Sequence, residues 1–400
     1  MRSGAVERVF REEYGRAVSV LVRTFGDIDL AEEAVQEAFT AALQRWPDDG
    51  PPPSPAGWII TTARNHAIDR LRRDAKRAEK HAEAEMIYNI PPDEPDDRLR
   101  LIFTCCHPAL ARHAQVALTL RLLGGLTTPE IARALLVPEP TLAQRIVRAK
   151  NKIRDAGIPY RVPRAADLPD RLTAVLAVVY LIFNEGYAAS SGALVRDDLC
   201  AEAIRLGRML RRLMPDEPEV AGLLALMVLS AARRPARVDP EGALVPLPLQ
   251  DRTRWDRDAI AEGHRLVREC LRRASPGPYQ LQAAINAVHT DAETAEATDW
   301  VQIVQLYDQL MALSPSPVVA LNRAVAIAEL EGPAAGLRLI EPLPLPTYHV
   351  FHAVRADLLR RAGRPEEARE AYKTAAELTG NTAERDYLLT QRANLLPSLS

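Results

Sequence analysis

A run of basic side chains between residues 64 and 80 has the charge density needed to follow a phosphate backbone. It holds seven Lys or Arg residues against three acidic ones, whereas the whole chain has a net charge of −2. Helical periodicity gives it a predicted buried stripe of Ile60, Ala63, Ala67 and Leu71. The polar side chains of interest are Arg64, Asn65, Asp69, Arg72, Arg73 and Lys76. The run indicates either a nucleic-acid contact or an exposed helix with internal ion pairs.

A second set of polar side chains falls in residues 121–154, RLLGGLTTPEIARALLVPEPTLAQRIVRAKNKIR. Gly124 and Gly125 end one helix, and Thr127 has the capping-box spacing to Glu130 at the start of the next. The last helix of this stretch is predicted to turn Leu142, Ile146 and Ala149 inward. Its outward polar residues are Thr141, Gln144, Arg145, Arg148, Lys150 and Lys152.

This pattern predicts a helix-turn-helix whose second helix enters a major groove, with a helical hairpin of no DNA role as the alternative. Gln144 and Arg145 lie near the amino end, where such helices reach base edges. Arg148, Lys150 and Lys152 are better placed for phosphates.

Residues 27–46, DIDLAEEAVQEAFTAALQRW, predict an amphipathic helix capped at its amino end by Asp29. Its predicted apolar face consists of Val35, Ala38, Phe39, Ala42, Leu43 and Trp46. Its outward residues are Glu33, Gln36, Glu37 and Gln44. These side chains form either a protein-binding surface or the solvated face of a core helix.

Proline and acidic stretches divide the chain. The sequence PDDGPPPSP at 47–55 breaks the first helical part, 81–97 predicts an acidic linker, and 158–170 predicts a second join. Amphipathic helices follow at 171–280. Residues 281–400 resemble tetratricopeptide repeats, most clearly from His352 to Gly380. The fold class predicted is all-α.

Composition excludes several classes of protein. With a pI near 6.5, the chain does not coat nucleic acid through bulk charge. The four cysteines lack disulfide or zinc spacing, and neither a phosphate-binding glycine loop nor a catalytic triad is visible. We therefore expect no cofactor, no metal and no enzymatic activity. Without an export signal or a membrane-spanning stretch, we expect a cytoplasmic protein.

In their order, these segments resemble extracytoplasmic-function sigma factors of bacterial RNA polymerase over about residues 5–157. The resemblance implies a region 2 domain at 1–80 and a region 4 domain at 98–157. It implies that the polymerase β′ clamp helices bind the outward residues of segment 27–46, which are Glu33, Gln36, Glu37 and Gln44. The loop 47–55 would hold an extruded base.

The family also implies two promoter contacts. Capture of the −10 element falls to Arg64, Asn65, Asp69, Arg72 and Arg73, with Lys76 on the same helix. The helix 141–154 would read the −35 element, and apolar residues near 118–123 would touch the β flap. The proline-rich loop and Pro140, where many relatives have glycine, depart from the family pattern.

Beyond residue 170, YLIFNEGYAASSG and SPVVALNRAVAIAE resemble a subgroup of these factors with a long helical tail. For the tail we expect a regulatory role or the docking of a regulatory protein. Two alternatives remain, a helix-turn-helix regulator with a repeat-type sensor domain and a repeat scaffold for protein binding.

Overall fold

The computed structural model describes residues 3–78, 97–135, 137–187, 197–240 and 242–395. Across these ranges the chain forms eighteen α-helices, and its only β structure is an isolated bridge between Val238 and Leu244. The predicted all-α class is confirmed. Contacts divide the chain into two compact units, residues 1–181 and 182–400. None of the described helices is long and apolar enough to cross a membrane.

A three-helix domain opens the first unit. Its helices are α1 (Ser3–Phe25), α2 (Ile28–Asp49) and α3 (Pro55–Ala78). The predicted cap is wrong by two residues, because the side chain of Asp27 rather than Asp29 accepts the amides of Asp29 and Leu30, at 2.8 and 3.0 Å. Trp46 and Trp58 meet edge to face at 5.5 Å, which joins the end of α2 to the start of α3.

The predicted apolar faces of α2 and α3 are correct except at their edges. Ile59 is fully buried where Ile60 was expected, and Leu43 and Leu71 are 52% and 37% exposed. The 47–55 break starts later than predicted, since α2 continues to Asp49. Gly50, at a φ of +77°, then ends it and donates its amide to the Trp46 carbonyl at 2.9 Å.

A helix-turn-helix domain follows. Its helices are α4 (Asp97–Cys105), α5 (Arg112–Leu122), α6 (Thr128–Ala134) and α7 (Glu139–Asp155). The predicted capping box is confirmed, because Thr127 N donates to Glu130 Oε2 at 2.7 Å and Glu130 N donates to Thr127 Oγ1 at 3.4 Å. Helix α7 begins before Pro140, which a first turn tolerates since that position needs no amide donor.

The two predicted linkers differ in how far the structure describes them. The acidic linker at 81–97 lies outside the described residues except for Asp97, which is buried at the start of α4. The second join is shorter than predicted, because α8 (Leu168–Tyr187) begins at Leu168. Most of NEGYAASSG also lies outside the described residues.

Beyond α8, the described residues form helices joined by turns, with one irregular passage at 233–240 and 242–256. The helices are α9 (Asp197–Leu213), α10 (Pro218–Ala232), α11 (Arg257–Arg272), α12 (Pro278–Asp291), α13 (Trp300–Leu313), α14 (Pro317–Glu331), α15 (Pro333–Ile340), α16 (His349–Arg361), α17 (Pro365–Leu378) and α18 (Thr382–Ala393). We call residues 182–395 the tail.

Helices α16 and α17 are the pair predicted from residues 352–380. Gly363, at a φ of +73°, makes the turn between them. Ala368, Tyr372 and Ala375 are buried as expected, whereas Leu378 is 39% exposed. Small residues let the two helices approach closely, which explains their recurrence in this stretch.

Candidate nucleic-acid interface

The predicted nucleic-acid face of α3 is largely open to solvent. Asn65, Asp69, Arg72 and Arg73 are exposed, and Arg64 is half-buried. Arg73 Nε donates to the Asp69 carbonyl at 3.3 Å, and Arg72 lies 3.8 Å from the Asp69 carboxylate. The side chain of Lys76 is outside what the structure describes.

A shallow cavity of about 490 Å³ lies on this face, lined by His66, Asp69, Arg72 and Arg73. Two guanidinium groups at its rim favour an anionic ligand such as a phosphate. The Asp69 carboxylate lies beside Arg72, whereas Arg73 is held by the main-chain carbonyl of Asp69.

Two of the acidic residues predicted to bind protein also join α2 to α3. Glu33 pairs with Arg70, and Glu37 Oε2 lies 3.2 Å from His66 Nδ1. The carboxylates of Glu33 and Glu37 are 46% and 43% exposed, so both remain accessible to a partner. Ion pairs of this exposure add little stability, and the surface keeps its acidic character.

The other two residues of that predicted surface differ from each other. Gln44 is exposed near the end of α2. Gln36 is half-buried, and its Nε2 donates to Glu32 Oε1 at 3.1 Å. The structure therefore brings Glu33 and Glu37 to the α3 side of α2, and turns Gln36 toward Glu32.

Most of the predicted recognition residues on α7 point outward. Thr141, Gln144, Arg148 and Lys152 are exposed, and Arg145 is half-buried. Within the described ranges, Arg145, Arg148 and Lys152 form no ion pair. Leu142, Ile146 and Ala149 are buried as predicted. This face offers three unpaired cations to a polyanion.

Lys150 is the exception, because the predicted outward orientation is wrong for this residue. Its side chain is only 11% exposed, and its Nζ lies 2.5 Å from Glu32 Oε2 and 2.7 Å from Asp29 Oδ1. Burial alone would lower the pKa of Lys150, but Glu32 and Asp29 outweigh it and raise that pKa. The ammonium group is fully charged and bound to the three-helix domain.

Glu32 is the centre of this contact. It is 6% exposed and also receives the guanidinium of Arg121 from α5. Arg121 Nη1 in turn donates to the Leu126 carbonyl at 3.0 Å, in the turn before α6. We call Asp29, Glu32, Arg121 and Lys150 the charged junction between the two small domains.

A second polar contact joins the same two domains. Arg23 Nε lies 3.3 Å from Asp97 Oδ2, with the two side chains 13% and 2% exposed. Tyr160 donates its hydroxyl to the Ser19 carbonyl at 2.7 Å and lies 3.1 Å from the Asp97 carbonyl. Charged and polar groups thus hold both ends of the contact between the domains.

Between these contacts the domains pack closely in one place and leave a groove in another. A Cβ at Gly15 would lie 2.8 Å from the Leu123 carbonyl oxygen, so α1 sits directly on the end of α5. Next to Arg121 a groove of about 690 Å³ remains, whose walls include Phe10, Gln36 and Thr127. Thus the junction is only partly filled by side chains.

Glu32 was missed from the sequence because its position suits a helix dipole equally well. Periodicity assigns a face within one helix, but it does not reveal which polar residue a distant helix will cover. The one available signal was a carboxylate between Ala31 and Ala34, on the side of α2 that is otherwise apolar.

Cys105 and Cys106 lie in the core of the helix-turn-helix domain. Both are buried, and Cys106 Sγ lies 3.6 Å from Thr119 Oγ1. Burial raises the pKa of Cys106 to about 12, and that of Cys105 well above its usual value. Protonated, enclosed thiols are poor ligands and poor nucleophiles, so this pair has the character of core residues.

Family models match three parts of the chain. Residues 9–77 match sigma-70 region 2, residues 100–153 match sigma-70 region 4, and residues 171–271 match a family of unknown function (DUF6596). The first two ranges coincide with the three-helix domain and the helix-turn-helix domain.

Relatives agree with this division. Uncharacterized protein R00370 of Rhizobium meliloti (strain 1021) is 46% identical over 395 residues, covering 95% of this chain and 93% of that protein. The probable ECF RNA polymerase sigma factor SigI of Mycobacterium tuberculosis (strain ATCC 25618 / H37Rv) is 26% identical over 170 residues, 40% of this chain and 58% of SigI. The ECF RNA polymerase sigma factor SigK of Mycobacterium ulcerans (strain Agy99) is 24% identical over 149 residues, 35% of this chain and 79% of SigK.

Proposed function

Because the chain belongs to the extracytoplasmic-function sigma factors of RNA polymerase, in a form with a helical C-terminal extension, we propose which of its surfaces carry each step of promoter recognition. The observation that carries the proposal is the arrangement of charge. Acidic side chains lie on α2, and basic side chains that face solvent lie on α3 and α7.

The acidic face of α2 is the proposed contact with core polymerase. Glu33, Glu37 and Gln44 are accessible, and Gln36 is half-buried beside Glu32. Their partner is the pair of clamp helices of the β′ subunit. The flap of the β subunit would pack against the helix-turn-helix domain near 118–123.

The two basic faces are the proposed promoter contacts. On α3, Arg64, Asn65 and Arg73 would hold the −10 strand, with Asp69 orienting Arg72 and Arg73. The loop 50–54 between α2 and α3 would receive one base, at an unstacking cost of a few kcal/mol that phosphate contacts offset.

On α7, Gln144 and Arg145 would read bases of the −35 element, while Arg148 and Lys152 would bind its phosphates. A chain with these roles acts in the cytoplasm, where its polymerase and promoters are. It catalyses no reaction itself, because the polymerase performs the chemistry. The tail would serve regulation or dock a regulatory protein.

The test is run-off transcription with purified core polymerase on genomic fragments that include the region upstream of the chain's own gene. Start sites that need the added chain are the expected result, and the fragments then define the −35 and −10 elements. Glu37→Lys should abolish these start sites together with binding to core polymerase, because it reverses the charge of the proposed contact.

A matched charge reversal, Glu377→Lys on the exposed face of α17, should leave polymerase binding intact. Circular dichroism checks that both variants fold. If the parent chain binds duplex DNA without polymerase and yields no start site, a conventional helix-turn-helix regulator replaces the proposal. If the parent chain binds neither DNA nor polymerase, a repeat scaffold for protein binding replaces the proposal.

A further inference from the structure

Helix α11 of the tail presents a straight row of arginines to solvent. Arg257, Arg265, Arg268 and Arg272 are all exposed. At about 3.6 residues per turn, they fall within roughly 80° of the helix circumference and extend for about 22 Å along its axis. We call these four residues the arginine stripe.

The carboxylates that follow the first turn of α11 are engaged on another side of the helix. Glu262 Oε2 lies 2.7 Å from Arg208 Nη2, and Glu269 pairs with Arg211. Both of these partners are on α9, so the two glutamates face that helix. They are therefore occupied by arginines from outside the stripe.

Within the described part of the chain, no residue of the arginine stripe forms an ion pair. Arg257 Nη2 donates to a main-chain carbonyl at 3.3 Å. Arginines around α16 and α17 behave differently, because Arg361 pairs with Glu329 and Arg364 pairs with Glu367, each at 2.6 Å. The stripe is thus a concentration of positive charge in a tail whose other helices neutralise theirs.

The spacing of the stripe does not stabilise α11. Arg265 is three positions before Arg268, which is four before Arg272, and like charges at these spacings weaken a helix. Arg257 is in the first turn, where the helix dipole favours an acidic residue such as Asp258 and disfavours a cation. Only Arg272, in the last turn, gains from the dipole. A role in folding therefore accounts for one of the four arginines.

A partner for the stripe must supply a row of negative charge. Duplex DNA carries one negative charge per roughly 1.7 Å of its axis, so about 22 Å of duplex offers about thirteen phosphates. An acidic protein is a poorer match, because protein interfaces have an apolar centre. Along α11, all of whose residues are described, the one large apolar side chain that is exposed is Leu271, at 67%.

We propose that the arginine stripe binds the phosphate backbone of duplex DNA, so that the tail adds a contact to those of the two small domains. Phosphate contacts carry no sequence information, so this contact strengthens binding to any duplex rather than to one promoter. It does not depend on which surfaces of the small domains carry the −10 and −35 steps.

The test is the salt dependence of DNA binding by the full-length chain. The probe is a fluorescent duplex that lacks −35 and −10 elements, and anisotropy measures its affinity between about 50 and 200 mM salt. In Arg268→Gln/Arg272→Gln, the slope of log affinity against log salt should decrease in magnitude by about 2. At about 100 mM salt the affinity should fall roughly 10- to 100-fold.

A second pair of substitutions tests whether the stripe acts as one surface. Arg257→Gln/Arg265→Gln should decrease the slope by a similar amount, and the four substitutions together should decrease it by about 4. The second pair also decides the outcome if the first does not fold, which circular dichroism checks.

The matched control is Arg361→Gln/Arg364→Gln, which removes the same net charge from arginines that already have carboxylate partners. It should leave both the slope and the affinity unchanged. Equal slopes for the parent and the folded fourfold variant would overturn the proposal. A parent chain that binds no duplex at about 50 mM salt would overturn it too.

Polyglutamate is the second probe. If the stripe variants lose binding to polyglutamate while duplex binding is unchanged, the stripe serves an acidic protein and the proposal is overturned. Run-off transcription in parallel keeps the proposed function separate, because a chain that supports no transcript can still show the change in salt slope.

Discussion

The charged junction and the α16–α18 part of the tail hold helices together by opposite means. At the junction, two cations from α5 and α7 converge on the buried carboxylate of Glu32. In the tail, the core between α16, α17 and α18 is made of small and apolar side chains, which are Ala356, Leu359, Ala368, Ala371, Tyr372, Ala375, Ala376 and Leu388.

The difference lies in what water does after separation. Charges at the junction are hydrated again when the domains part, which recovers most of the lost interaction. Apolar side chains form no comparable interactions with water, and exposing them costs about 25 cal/mol for each Å² of apolar surface. We therefore expect the junction to open and close without unfolding, and the α16–α18 core to resist opening.

The substitution Leu359→Ala tests whether the α16–α18 core is the rigid part of the molecule. Leu359 is fully buried, so the truncation should lower the free energy of unfolding by about 2–5 kcal/mol. Hydrogen exchange of peptides from α16–α18 measures the loss. Leu389→Ala, at a position 42% exposed on α18, is the control and should change exchange little. A loss under about 1 kcal/mol in Leu359→Ala would mean that this core is not the rigid part.

At the second polar contact, Asp97→Asn removes the carboxylate that faces Arg23 and Arg100. We expect a loss of about 1.5–3 kcal/mol, the usual value of hydrogen bonds to charged groups. Exchange of peptides from α1 and α4 measures it, with Asp155→Asn, 69% exposed, as the control. A loss of stability above about 4 kcal/mol would show that this polar contact resists opening as strongly as an apolar core does.

Acid should lower the stability of the tail through His289. Burial, with Arg233 and Arg252 nearby, lowers the pKa of His289 to about 4 from 6.5. The unfolded chain therefore takes up a proton first, so stability is complete above pH 6.5 and falls as the pH drops toward 4. At pH 5 the loss should be up to about 2 kcal/mol.

Urea unfolding of the tail at pH 7 and pH 5 tests this, and His289→Gln should remove most of the difference. His264, whose pKa burial also lowers, serves as the comparison in His264→Gln, with a smaller effect. Lys150 has a raised pKa and does not titrate in this range. An equal pH dependence in parent and His289→Gln would assign the acid response to another group.

The smallest effect concerns local order in the helix-turn-helix domain. Thr127→Ala removes the hydroxyl that accepts the Glu130 amide, and we expect a cost of about 1 kcal/mol, confined to α6. Exchange of residues 127–134 measures it, with Thr128→Ala as the matched control. Equal exchange in both variants would show that packing against α7, and not the cap, fixes α6.

Sequence alone predicted what depends on local chemistry. The capping box at Thr127 and Glu130, the buried stripe of α7 and the helix pair at 352–380 all follow from spacings within a few turns. Edges of apolar faces were less certain, as Leu43 and Leu71 show, because exposure there depends on how much of a neighbouring helix lies alongside.

The charged junction could not be predicted in this way. Lys150 and Glu32 are more than a hundred positions apart, and each has a sound local explanation as a surface charge. The packing of α1 against α4 and α5, seen for α5 at Gly15 and Leu123, brings them together. Long-range pairs of this kind depend on the fold as a whole rather than on any single segment.

The position of Lys150 has a consequence for evolution and for engineering. Under the proposed roles, Gln144 and Arg145 touch promoter bases and are not part of the charged junction, so substitutions there retarget the factor and leave the residues of that junction unchanged. A change at Lys150 instead breaks the contact of α7 with Asp29 and Glu32. Libraries designed to create orthogonal promoter pairs should therefore vary Thr141, Gln144, Arg145 and Arg148, and keep the lysine at position 150 constant.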